Sequence, residues 1–84
     1  MSVIYVVFKN RTTTLMFYEA LKRIKIHSKV VSTPKKIISS CGLSVELGLE
    51  NFKIVIQLLK TGKYSGLVGV YKNKFNETFY EKMV

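Results

Sequence analysis

Ser28-Lys29-Val30-Val31-Ser32 and Gly42-Leu43-Ser44-Val45-Glu46-Leu47-Gly48 decide the fold. The first reads as a short strand, ended by Pro34, with a loop over Lys35 to Ser40. In the second, Leu43, Val45 and Leu47 alternate with Ser44 and Glu46. Period-two alternation is a strand with one apolar face. Two strands thus follow one another between the two helical patterns of the chain.

On the N-terminal side, Phe17, Ala20, Leu21 and Ile24 fall at i, i+3, i+4 and i+7, one helical face. Thr12, Thr13 and Thr14 offer hydroxyls where an N-cap is wanted. Lys22, Arg23 and Lys25 crowd the far end, where cations meet the negative pole. Before this helix, Val3 to Phe8 is a β-branched and aromatic run suited to a central strand. On the C-terminal side, a helix is expected from near Leu49, with Phe52, Val55, Ile56 and Leu59 as its stripe and Gly62 closing it. Ile54 and Leu58 lie off that stripe. Gly66 to Tyr71 reads as the last strand.

The order is β-α-β-β-α-β, the ferredoxin-like order of the α+β class. It predicts a two-layer sandwich: two helices on one face of a four-stranded antiparallel sheet, in spatial order 4-1-3-2. The short, lysine-bearing second strand suits an edge. Residues 1–72 make this domain. Residues 73–84 form a tail, where the four-residue spacing of Phe75, Phe79 and Met83 admits an extra C-terminal helix. The tail or the uncovered sheet face offers a homodimer surface.

The chain has 84 residues, 48% of them hydrophobic, which is enough for a packed core rather than disorder. One cysteine excludes an internal disulfide and fits a reducing compartment. The first apolar run has no basic segment before it and is too short for a signal peptide or a membrane span, so a cytoplasmic location is expected. The formal charge of +9 suits anionic partners, or lysines that simply solvate exposed faces.

Chemistry centres on Cys41. The topology sets it just before the third strand, on the edge where the first strand ends and the first helix begins. Lys9, Arg11, Thr12, Thr13 and Thr14 belong to that edge as a candidate anion-binding turn. Lys35 and Lys36 add charge, Ser39 and Ser40 can donate hydrogen bonds, and Gly42 permits close backbone approach. Nearby cations and a helix N-terminus favour a thiolate, the nucleophile that takes up sulfur or attacks a disulfide. The alternative is a packed, inert thiol, the usual state of a free cysteine.

His27 stands alone, so no metal-ligand spacing exists, and no cofactor motif is present. The five glutamates show no pairing pattern for acid–base work. RNA recognition by the sheet is disfavoured, because Tyr5 and Phe8 point to opposite faces and the third strand has no aromatic. The residues fit a carrier or a small regulatory or binding module better than an enzyme.

The stretch Thr33-Pro34-Lys35-Lys36-Ile37-Ile38-Ser39-Ser40-Cys41-Gly42-Leu43 resembles the selenium/sulfur carrier protein-like family. The shared pattern is a proline and a basic residue, then serines, then Cys-Gly and an alternating strand. Glu19 matches a glutamate frequent in the family's first helix. The resemblance spans roughly residues 3 to 72. Lys35 stands where the family often has arginine, and the tail after Lys72 has no counterpart. The resemblance implies carriage of sulfur or selenium on Cys41, with a donor enzyme and an acceptor as partners.

Overall fold

The computed structural model describes residues 2–37, 42–74 and 79–84. Its elements are β1 (Val3–Phe8), α1 (Arg11–Arg23), β2 (Ser28–Ser32), β3 (Leu43–Gly48), a 3-10 turn (Leu49–Asn51), α2 (Phe52–Leu59), β4 (Leu67–Lys74) and β5 (Phe79–Lys82). The sheet order is β2-β3-β1-β4-β5, and every neighbouring pair is antiparallel. This corrects the expected sheet: it has five strands, and its order extends the simple four-stranded ferredoxin-like arrangement with β5 beyond β4.

The expected C-terminal helix is also corrected. Residues Phe79–Lys82 are a strand, paired with β4 in the register Tyr71↔Lys82 to Lys74↔Phe79. Phe79 and Tyr80 are strand-favouring residues. Just past β5, Met83 donates its N–H to the Val70 carbonyl at 2.7 Å and packs against the core.

β1 sits centrally, and its alternation feeds two cores. Ile4, Val6 and Phe8 point to the helix side, where they meet Phe17, Leu21, Val45, Leu47, Val55 and Val70. Tyr5 and Val7 point to the other face and pack with Ile37. That face, expected to lie uncovered, is therefore partly covered by the turn after β2. Ile37 is the plug, with Val31, Val68 and Tyr71 around it.

The buried stripe of α1 is Thr13, Thr14, Phe17 and Leu21, not the stripe ending at Ile24. The helix starts at Arg11 and ends at Arg23, so Ile24 is the C-cap and lies 47% exposed. Lys25 then takes the left-handed conformation (φ 62). Lys25 N–H bonds to the Lys22 carbonyl and Ile26 N–H to the Leu21 carbonyl. This is the paired closure of a Schellman motif, here without glycine. It swings Ile26 inward against the core in place of Ile24.

α2 is shorter than expected because the first turn after Gly48 is 3-10. Phe52, Val55, Leu58 and Leu59 meet the core, so Leu58 belongs to the buried stripe. Lys60 is the C-cap, and Gly62, at φ 77, follows two residues later. Tyr64 then closes the helix side, with its ring 5.1 Å from that of Phe17 in an edge-on contact and 6.5 Å from that of Phe8.

Candidate functional site

One edge of the sheet gathers the ends of β1 and β2 and the starts of β3 and β4. The register sets Ser32 opposite Leu43, Val7 opposite Ser44 and Phe8 opposite Leu67. The chain leaves β1 here at Lys9, whose N–H donates to the Gly66 carbonyl at 2.7 Å. Gly66 adopts φ 77, and a Cβ on it would sit 3.5 Å from the Lys9 and Asn10 side chains.

The N-cap of α1 is Asn10, not one of the three threonines. Its Oδ1 accepts the Thr13 N–H at 2.7 Å. Asparagine in an extended conformation outranks threonine as a cap. Thr14 donates its hydroxyl to the Asn10 carbonyl at 3.0 Å and is fully buried. Of the five residues expected to bind an anion here, Lys9, Arg11 and Thr12 are exposed, while Thr13 and Thr14 are buried in the base of the helix.

The loop between β2 and β3 is clasped at its base. Thr33 N–H donates to the Gly42 carbonyl at 2.8 Å. The Thr33 and Ser44 hydroxyls share a 2.6 Å hydrogen bond. Inside the loop, Ile37 N–H bonds to the Pro34 carbonyl at 2.9 Å, which turns the chain so that Ile37 enters the second core. Lys35 and Lys36 occupy the outside of this turn and are exposed. Gly42 sits at φ 78, with no other described atom within 4 Å of a Cβ built on it. Its positive φ is a conformation that glycine adopts freely. Cys41, Ser39 and Ser40 lie outside the described residues.

Lys9, Arg11, Lys35 and Lys36 all belong to this edge or to the loop that rises from it. The described glutamates lie elsewhere. Glu19 is mid-helix, paired with Lys22 at 3.6 Å. Glu46 faces Lys29 across the strands at 3.7 Å. Glu50 begins the α2 segment at the opposite edge, and Glu81 is in β5. The edge is therefore electropositive, a field that favours anions.

Residues that sequence reasoning missed are Asn10, Thr33, Ser44 and Ile37. The signal for Asn10 was its position before the first helical residue. Ile37 was legible only as an apolar residue after two lysines. His27 lines a separate cleft of about 280 Å³ at the opposite edge, with Ser28, Glu46 and Glu50. Among the described residues, no three His, Cys, Asp or Glu side chains gather as metal ligands. No helix among them is long and apolar enough to cross a membrane.

The sheet order, the basic edge and the clasped loop before β3 can be set beside known families. The chain belongs to the family described as "Putative Se/S carrier protein-like", which matches over residues 4–67. No curated protein and no solved structure matches the chain.

Proposed function

We propose that this chain carries sulfur or selenium covalently on Cys41. The observation that supports this most is the family match, whose span takes in Cys41 and its whole loop. The exposed Lys35 and Lys36, with Lys9 and Arg11 on the same edge, are the surroundings that stabilise a thiolate.

The transfer is written for sulfur. The Cys41 thiolate attacks the terminal sulfur of a persulfide on a donor protein. A new S–S bond forms, the donor's S–S bond breaks, and its electron pair leaves as the donor thiolate. An acceptor nucleophile then attacks the same terminal sulfur, and Cys41 departs as thiolate. Selenium follows the same displacement from a perselenide. In this reading Ser39 and Ser40, next to Cys41 in the sequence, would supply hydroxyl donors to the anionic sulfur, and Gly42 the backbone freedom beside it. No second cysteine exists to release the cargo internally, so donor and acceptor are separate molecules.

A regulatory anion site at Lys9–Thr14 has weaker support. Asn10 already occupies the Thr13 amide, and the Thr13 and Thr14 side chains are buried.

The test is native alkylation of Cys41 across pH, followed by loading from a cysteine desulfurase and intact-mass measurement. Carriage requires fast native labelling, an apparent pKa below the free value of about 8.5, and a mass gain of one sulfur that Cys41→Ser abolishes. Labelling only after denaturation sinks the proposal.

A further inference from the structure

A groove of about 480 Å³ runs along the outer face of α1. Its apolar floor is Leu15, Met16 and Ala20, and Tyr64 stands as one wall. Leu15 is 42% and Met16 48% exposed, large apolar side chains in a position where nothing in the core needs them. The Tyr64 wall is fixed, because Phe17 and Phe8 hold its ring from behind. The methionine is adaptable, as thioether side chains at variable docking surfaces are.

Cations mark the groove's margins. Lys63 lines it beside Tyr64, and Arg23 lines it at the last turn of α1. Neither forms an ion pair among the described residues. Glu19, the one acid in the lining, is engaged by Lys22.

We propose that this groove docks an acidic, amphipathic segment of a partner protein. From Thr12 to Arg23 the lining follows α1 over eleven residue-to-residue steps, about 16 Å at ~1.5 Å per step. A three-turn helix with apolar residues at i, i+3, i+4 and i+7 matches that length. Its apolar side chains lie on Leu15, Met16 and Ala20, and its flanking carboxylates reach Arg23 and Lys63. A second copy of this chain is opposed by charge, since each copy carries +9. A small molecule is opposed by shape, because such sites enclose roughly 70–90% of their ligand, and this floor is nearly half exposed. The docking does not depend on carriage at Cys41.

The experiment uses the full chain, isotopically labelled, and a synthetic three-turn peptide with leucines on one face and glutamates elsewhere. The expected result is amide shift changes confined to Thr12–Arg23 and Lys63–Tyr64. A peptide with lysines in place of the glutamates leaves them unmoved. Met16→Glu weakens binding about tenfold or more. Arg23→Glu and Lys63→Glu each weaken it about two- to fivefold, with the loss reduced at high salt. These are surface substitutions, and an unchanged spectrum elsewhere verifies the fold. Cys41→Ser binds the peptide normally, which separates this proposal from the carrier reading. Equal binding of both peptides, or changes located elsewhere, overturns it. Concentration-dependent shifts of the same amides without peptide assign the groove to a second copy and also overturn it.

Discussion

The hydroxyls of Thr33 and Ser44 meet at 2.6 Å across the base of the Cys41 loop. Ser44 is fully buried, and the Thr33 N–H at the same spot holds the Gly42 carbonyl. Removing one hydroxyl strands the other. Thr33→Val is expected to cost about 1–3 kcal/mol, because a buried hydroxyl loses its partner. Thr33→Val with Ser44→Ala together should cost less than the sum of the two singles. Urea midpoints of the four proteins measure the coupling.

Gly42 holds a left-handed backbone next to the clasp. Gly42→Ala is expected to destabilise the chain by about 1–2 kcal/mol, the cost of a Cβ in that conformation. Gly42→Asn should recover part of this, since asparagine visits the region more readily. Space around the site is open among the described residues, so a loss comes from conformation and not from a clash. Thermal unfolding of the two variants separates the explanations.

The Asn10 side chain satisfies the Thr13 amide in the first turn of α1. Asn10→Ala should cost about 1 kcal/mol, and Asn10→Asp or Asn10→Ser much less. For a domain of this size that corresponds to a fall in Tm of roughly 4–8 °C. Calorimetry reads the difference directly.

Lys25 is a lysine in a conformation that glycine favours. Lys25→Gly is expected to stabilise the chain by up to about 1 kcal/mol, because the strain of the Cβ is relieved at the C′ position. A lower Tm for this variant would mean that the lysine's charge near the helix C-terminus outweighs the strain.

β1 and β3 were legible because each carries an unmixed pattern, whereas β2 and β4 were marked by the breakers beside them, Pro34 and Gly66. Val3 to Phe8 is apolar on both faces, as a strand with a core on each side must be, and Leu43, Val45 and Leu47 alternate cleanly. The tail was not legible, for a numerical reason. Phe75, Phe79 and Met83 are four apart, and a spacing of four lies on one face of a helix and also on one face of a strand. Three threonines hid the cap at Asn10, since all four residues are competent caps. Ile24 and Ile26 are equally apolar, and only the left-handed turn at Lys25 decides which enters the core. The basic edge was legible from topology alone, because strand direction fixes which loops share an end. The groove on α1 was not, because Leu15 and Met16 break the single-face pattern and read as noise beside Phe17 and Leu21.

The hold on Gly42 anchors the point where the loop after β2 rejoins the sheet. Adjacent Cα atoms lie about 3.8 Å apart along a trans chain, and Gly42 is fixed by Thr33 on one side and by β3 on the other. The backbone entering β3 is thereby held to the sheet at Gly42, one residue after the proposed carrier cysteine. Under the carriage proposed above, donor and acceptor would each bring their reactive atom to this edge of the sheet, so delivery would alternate with loading.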